Sequence, residues 1–349
     1  MALILLLSLI VARVAPGQEP SATLRGSVVT TAGEPIPYAL VRLVPNYGRR
    51  FTDQRGVFVF AGVATGAHRL QVRQLGFEPF DSAVTILATG TTIRVALRPL
   101  AIELSAITVS APARCTNPGP PDSTKSRALA ALFAQMLENA ARYVVLAESY
   151  PYTYRMERTS VAYDKAMLVL WSERDTLEYG TDGTVRYRPG DVVRWGPGPS
   201  GRRERVLNLP TLPDFADSAF HTNHCYAFGG MVEHEGQTLV RFEFRAAESL
   251  RTSDIEGEVD LDPRTYQIRR ATVRLTHPGR AVPGLASASS TVWFGEIRPF
   301  IVVPIRVESV VVPTLERQTA GRSAHRGDDQ RLIDVRFIRA LPDSTGATP

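Results

Sequence analysis

Residues 52–77 read TDQRGVFVFAGVATGAHRLQVRQLGF, and this stretch decides the fold of the first part of the chain. It alternates strand-like runs (VFVFAGV and AHRLQVRQLGF) with short turns that carry glycine. Glycines 33, 56 and 66 fall where such turns need a positive φ or a tight reversal. Similar strands extend over residues 24–97. Short strands at this spacing predict an antiparallel β-sandwich.

The same region resembles a known family, the carboxypeptidase regulatory-like domain, which is a transthyretin-like sandwich. The resemblance implies a seven-stranded sandwich over residues 18–100 with an adhesive or structural role. In peptidases that carry this domain, the catalytic zinc lies in a separate domain that needs a His-x-x-Glu pair, and the chain contains no such pair. The resemblance depends on an ordered series of residues: Gly26-x-Val28, Gly33-x-Pro35-Ile36, Ala39-x-Val41, Thr52-Asp53-x-x-Gly56-x-Phe58, Val63-x-x-Gly66-x-His68-x-Leu70-x-Val72 and Leu75-Gly76-Phe77.

The N-terminus begins with an apolar run, MALILLLSLIVA, that is shorter than the ~20 residues needed to span a bilayer. Ala15 and Gly17 supply the small residues of a cleavage site. The pattern predicts a signal peptide over residues 1–17, with the mature protein starting at Gln18. We therefore expect an exported protein, in the periplasm or associated with the outer membrane.

The composition excludes some function classes. The chain has 349 residues, which leaves room for two domains, and its formal net charge is only +5. Most of its basic residues are arginine, and they form no stripe interleaved with aromatic residues, so we expect no nucleic-acid partner. The sequence shows no G-x-S-x-G motif and no phosphate-binding loop, and no cofactor is expected.

Residues 101–121 are rich in Pro, Gly and Ser and predict a linker, followed by a second domain over residues 122–342 and a disordered tail over 343–349. The second domain opens with one clear helix, for which Asp122 or Ser123 is the expected N-cap. The apolar face of this helix follows i, i+3, i+4 spacing and predicts core packing. Its members are Leu129, Leu132, Phe133, Met136, Leu137 and Ala140.

Alternating strands occupy the rest of the second domain and predict a large, curved antiparallel sheet with the helix packed on it. The fold class expected is therefore mainly β: a seven-stranded antiparallel sandwich followed by an α+β domain. Residues 257–270, GEVDLDPRTYQIRR, resemble the sheet hairpins of periplasmic lipoprotein-carrier-like domains, in which a half-open barrel shelters an apolar ligand. This second resemblance implies a binding role.

A row of acidic residues spaced two apart runs through residues 254–262. Side chains at this spacing lie on one face of a strand, where they could bind calcium or perform acid–base chemistry. The alternative, which we favour, is a solvated strand face with Ile255, Val259 and Leu261 directed inward. Arginines nearby in sequence could neutralise the acids. They are Arg245, Arg251, Arg269, Arg270 and Arg274.

The stretch HTNHCYAFGGMVEH, residues 221–234, contains three of the six histidines and one of the two cysteines. A metal site could use His221, His224 and His234, although their spacing matches no standard zinc finger. An exported chain with two cysteines favours a disulfide between Cys115 and Cys225, in which case the histidines are loop residues.

These observations predict a non-catalytic, exported cell-envelope protein that acts in binding or assembly. Its expected ligand is an envelope protein, a glycan or a lipid. Because the regulatory-like domain often precedes an outer-membrane receptor or another periplasmic domain, an outer-membrane partner is also expected. The alternative is a metal-dependent hydrolase that uses the histidines of residues 221–234.

Overall fold

The computed structural model describes residues 21–45, 47–104, 114–181, 187–197, 203–207, 212–319 and 323–342. The predicted signal peptide, the tail and residues 105–113 of the predicted linker lie outside these ranges. None of the helices within them has the length and apolar character needed to cross a bilayer.

The first seven strands form two facing sheets, which confirms the seven-stranded sandwich. One sheet has the order β4-β1-β7 and the other β3-β2-β5-β6. The pairing is antiparallel except between β1 and β7, which run parallel. Glycines 33, 56 and 66 have positive φ, as predicted for the turns. The strands are β1 Ser21–Thr30, β2 Leu40–Val44, β3 Arg49–Phe51, β4 Val57–Ala64, β5 Gly66–Arg73, β6 Phe80–Ile86 and β7 Thr91–Leu97.

A nine-stranded antiparallel sheet forms the second part of the fold, in the order β12-β13-β14-β15-β16-β17-β18-β8-β9. β8 follows the helix in sequence but pairs with β18, the last strand along the chain. A separate hairpin is formed by β10 and β11. The strands are β8 Tyr152–Tyr163, β9 Val169–Gly180, β10 Val193–Pro197, β11 Arg203–Leu207, β12 His224–His234, β13 Gln237–Ala246, β14 Ile255–Leu261, β15 Ile268–Leu275, β16 Leu285–Arg298, β17 Ile301–Pro313 and β18 His325–Phe337.

The long helix α1, Arg127–Ser149, packs on this sheet as predicted. Its N-cap is Ser126, whose side chain accepts a hydrogen bond from the Leu129 N–H, so the expected cap at Asp122 or Ser123 is wrong. The carboxylate of Asp122 accepts instead from the N–H of Thr124 in the preceding turn. The remaining helices are short: α2 Ser218–Thr222, α3 Pro278–Ala281, α4 Leu315–Thr319 and a 3₁₀ turn over Leu212–Ala216.

Buried polar side chains of α1 join the helix to the sandwich. Gln135 Oε1 accepts from the Gly76 N–H at 2.9 Å, and Arg142 Nη2 donates to the Tyr38 carbonyl at 2.8 Å. The Arg142 guanidinium also lies 5.0 Å from the centre of the Phe51 ring. Burial lowers the pKa of Arg142 to about 10, although the neighbouring Glu138 carboxylate opposes that shift. The sandwich and the helix therefore share one interface.

Apolar contacts reinforce this interface, because Tyr38, Leu40 and Phe51 of the sandwich belong to the same buried cluster as the α1 and sheet residues. The Phe51 ring stacks on Tyr150 at the end of the helix, with 5.7 Å between ring centres. The predicted division of the chain at residues 100 and 122 stays a prediction.

Candidate functional site

β12 forms one edge of the nine-stranded sheet, and a covalently attached segment lies against it. Cys115 and Cys225 form a disulfide with their Cα atoms 5.5 Å apart, the bond favoured from the sequence. Two backbone hydrogen bonds continue the contact: the Gly119 N–H donates to the His224 carbonyl, and the Glu248 N–H donates to the Cys115 carbonyl, both at 2.9 Å. The start of this edge, at His224 and Cys225, is therefore covered.

His224 belongs to a buried polar group behind that edge. Its Nδ1 and Nε2 atoms lie 2.8 and 3.0 Å from the carbonyl oxygens of Phe220 and Ile255. The Asp254 carboxylate is 3.8 Å from Nε2 and accepts a 2.6 Å hydrogen bond from the Tyr187 hydroxyl. Burial lowers the pKa of His224, and both carbonyls and Asp254 oppose that shift. The neutral ring donates its one N–H to one of the two carbonyls, and the neighbouring groups are enclosed by protein, which suits a structural role.

The structure does not bring the three candidate metal-binding histidines together. His221 lies in α2, with Nε2 2.6 Å from the Phe215 carbonyl oxygen. His224 and His234 begin and end β12, so about 30 Å of strand separates them. Within the described ranges, no group of three or more His, Cys, Asp or Glu side chains could hold a metal ion. The interpretation of these histidines as loop residues is wrong, because His224 is fully buried and both it and His234 belong to a strand.

His234 lines an open cavity of about 680 Å³ on the outer face of the sheet. Its Nε2 accepts from the Trp293 indole N–H at 3.0 Å. The cavity also contains Arg269 and Arg270. Arg269 lies 3.4 Å from Asp262, and Arg270 lies 3.5 Å from the buried Asp260, which Arg241 also binds. Arg264 and Glu235 line the cavity as well, so its charges are of both signs.

The acidic row is less solvated than expected. Ile255, Val259 and Leu261 are directed inward as predicted, but Asp254 and Asp260 are themselves fully buried. Arginines neutralise three members of the row. Asp260 is bound by Arg241 and Arg270, Glu258 by Arg274, and Asp262 by Arg269.

The opposite edge of the sheet is β9, which pairs with β8 alone among the described strands. The turn before β9 and the first residues of the strand form a continuous apolar stretch over residues 167–171. The sequence here is Met-Leu-Val-Leu-Trp, and the exposed fraction ranges from 65% at Leu168 to 40% at Trp171. Soluble proteins rarely leave a contiguous apolar patch of this kind uncovered unless it binds a partner.

Further exposed apolar side chains lie at the same end of the sheet. Strand register places Trp171 opposite Ala162, Ala162 opposite Arg326, and Arg326 opposite Val311 on β17. Leu315, at the start of α4, is 74% exposed. We call this surface the apolar rim. Its members are Met167, Leu168, Val169, Leu170, Trp171, Val310, Val311 and Leu315.

Sequence reasoning identified a strand in this part of the chain but missed the rim. Alternation predicts that one side of a strand is buried, and residues 167–171 instead contain five consecutive apolar side chains. That run, directly after the Asp164-Lys165 turn, was the available signal. A run of apolar residues does not distinguish a buried strand from an exposed one. The position of β9 at the sheet edge depends on the distant pairing of β8 with β18.

Residues 23–98 match the family described as the carboxypeptidase regulatory-like domain, which confirms the resemblance of the sandwich to that family. The match covers the sandwich and not the rest of the chain. No curated protein matches the chain.

Solved structures give low-scoring similarities. A cohesin–X-dockerin complex from Acetivibrio cellulolyticus is 18% identical with a TM-score of 0.19, and the match covers 22% of this chain and 56% of that chain. An outer membrane lipoprotein-sorting protein domain from Vibrio parahaemolyticus is 11% identical with a TM-score of 0.34, covering 60% of this chain and 94% of that one. A LolA superfamily protein from Nitrosomonas europaea is 14% identical with a TM-score of 0.31 and the same coverage. The last two are lipoprotein-carrier-like proteins, the class that residues 257–270 resemble. TM-scores this low do not identify a ligand.

Proposed function

We propose that this protein is an exported, non-catalytic binding or assembly module of the cell envelope, located in the periplasm or at the outer membrane. The observation that carries the proposal is the apolar rim, an exposed apolar surface at the end of the nine-stranded sheet where β9 begins. A partner that covers the rim removes its side chains from water, at ~25 cal/mol per Å² of apolar surface.

Export is supported by two independent features. The disulfide between Cys115 and Cys225 is a bond typical of oxidising compartments outside the cytoplasm. The apolar N-terminal run has the length and the small residues of a signal peptide.

A non-catalytic role is supported by how the buried polar groups are used. Asp254 is bound by Tyr187, Asp260 by Arg241, and Asn139 bridges α1 to the backbone of Tyr266. Each of these groups holds elements of the fold together. Reactive groups need access to a substrate, and these are enclosed.

The proposed partner is an envelope protein, a glycan or a lipid. In each case the rim is the surface that binds it. The purified protein should sediment with the membrane or peptidoglycan fraction of the source organism. Leu168→Glu should abolish that association, because it places a charge in the centre of the rim. Cosedimentation at several protein concentrations measures the loss.

The matched control is Leu87→Glu, which introduces the same charge at a 56% exposed leucine of the sandwich, outside the rim. This variant should bind like the wild type. Equal binding by both variants, or no binding of the wild type to any envelope fraction, would contradict the proposed function.

A further inference from the structure

We infer that the apolar rim docks on a lipid bilayer surface that carries anionic headgroups. This inference rests on the proposed binding function and specifies the class of ligand. It follows from the way the rim side chains are exposed, from the hydrogen bonds of the turn beside them and from the cations around them.

The apolar side chains at the start of β9 are exposed on both faces of the strand, and those of the turn before it are exposed as well. Successive side chains of a strand point to opposite faces, yet Leu168, Val169 and Leu170 are each more than half exposed. A protein that packs on one face of β9 leaves the alternate side chains in water. The interfacial layer of a bilayer surrounds the turn and the first residues of β9 on both sides and removes these side chains from water.

The backbone of the turn before β9 is already hydrogen-bonded. Asp164 Oδ1 accepts from the N–H groups of Ala166 and Leu168, both at 2.8 Å. The Asp164 N–H donates to the Leu168 carbonyl at 2.9 Å, and the Met167 N–H donates to the Asp164 carbonyl at 3.2 Å. These bonds reduce the cost of moving polar backbone groups into an apolar medium, which is the main obstacle to the entry of a loop into lipid.

The side chains next to the rim are of the kinds that favour the surface of a bilayer. Trp171 has the amphipathic ring that favours the boundary between lipid and water. The guanidinium of Arg326 lies 5.1 Å from the centre of that ring and 3.8 Å from the Asp328 carboxylate, which balances its charge. Lys165 is exposed at the tip of the turn and forms no ion pair among the described residues. Cations that flank an apolar surface are attracted to anionic lipid headgroups.

The extent of the rim also fits a flat surface. Trp171 and Val311 lie on strands separated by β8 and β18, so they are about 15 Å apart at the usual strand spacing. Leu315 follows at the end of β17, beside the same end of the sheet. A bilayer contacts all three together.

Vesicle sedimentation tests the inference with two lipid compositions, phosphatidylcholine alone and phosphatidylcholine mixed with phosphatidylglycerol. The wild type should bind the mixed vesicles more tightly, and Leu168→Glu should weaken binding about ten-fold or more. Lys165→Glu should remove most of the preference for the anionic lipid. Leu87→Glu should bind like the wild type, because Leu87 lies outside the rim.

Tryptophan emission provides a readout that is specific for the site. The wild-type emission should shift to shorter wavelength on addition of mixed vesicles, because Trp171 leaves water. Trp171→Phe should still sediment with the vesicles while losing that shift, since Trp195 and Trp293 lie outside the rim.

Two outcomes would overturn the inference: no binding of the wild type to either vesicle, or equal binding by Leu168→Glu and Leu87→Glu. These outcomes are distinguishable from a failure of the proposed function. If association with the native membrane fraction depends on Leu168 but is lost when that fraction is treated with protease, the partner is a protein and the lipid inference alone fails. If no envelope fraction binds, both fail.

Discussion

The two edges of the nine-stranded sheet are built in opposite ways. At β12 a disulfide-linked segment lies against the strand, and behind it His224 and Asp254 are fully buried. At β9 the backbone edge pairs with β8 alone within the part of the chain that the structure describes, and residues 167–171 expose apolar side chains.

The comparison shows that the two edge strands of this sheet do not share the apolar exposure seen at β9. Unpaired strand edges promote association, and proteins usually cover them or place charges on them. This chain covers the start of β12 by covalent and buried polar contacts. At β9 it places Glu173, Arg174 and Asp175 in the middle of the strand and leaves its first residues apolar. Because the apolar stretch is confined to one end, we interpret it as a binding surface rather than as an unprotected edge.

The most disruptive test of the covered edge is the removal of its disulfide. Replacing Cys115 and Cys225 together by Ser should lower the free energy of unfolding by about 4 kcal/mol, because the bond closes a long loop and restricts the unfolded chain. The sequence separation of the two cysteines is 110 residues. Urea denaturation measures the loss, and the reduced wild type should show a similar one. A loss below ~1 kcal/mol would show that the covalent contact contributes little to this edge.

A smaller effect is expected at the buried histidine. His224→Ala should lower the free energy of unfolding by about 3 kcal/mol, because it leaves a cavity and removes the ring N–H from which a buried carbonyl accepts. The control is His325→Ala on the side of the sheet near β9, which should cost less than ~1 kcal/mol because His325 is half-buried. Thermal denaturation compares the two. Equal losses would remove the energetic contrast between the edges.

The covered edge should also respond to pH. Burial holds the pKa of His224 below its usual value, so the unfolded chain accepts a proton near pH 6.5 that the folded protein resists. This contribution to stability is present above about pH 6.5 and is lost as the pH falls. The melting temperature of the wild type should therefore fall more between pH 7 and pH 5 than that of His224→Ala. Parallel curves for the two proteins would count against a neutral buried imidazole.

The smallest change in stability is expected at the free edge. Leu168→Glu should alter the free energy of unfolding by less than ~0.5 kcal/mol, because its side chain is already largely in water. Leu212→Glu, the same substitution at a buried position under α1, should instead prevent stable folding. Chemical denaturation of both variants distinguishes a binding surface, at Leu168, from the core, at Leu212. A large loss at Leu168 would mean that the rim supports the fold.

Much of the architecture could be predicted from local sequence. The sandwich follows from strand alternation and from glycines such as Gly56, where the turn has a positive φ. The helix follows from its apolar spacing, although its cap at Ser126 lies closer to the helix than expected. Both features depend on neighbours in sequence, which is the information that a pattern contains.

The features that required the structure depend on distant residues. His224 is buried because Asp254 and Ile255, some 30 residues later, close around it. Arg142 lies within the helix, and its role appears only once Tyr38 of the sandwich is placed beside it. The rim is exposed because β8 pairs with β18 at the far end of the chain. Sequence spacing contains none of these long-range contacts.

Hydrogen exchange measured with and without the membrane fraction of the source organism tests the central claim most directly. We expect the amides of residues 164–172 to gain protection when the fraction is added, and those of β12, His224–His234, to remain unchanged. Protection that appears elsewhere while residues 164–172 exchange as before would contradict the assignment of the rim as the binding surface.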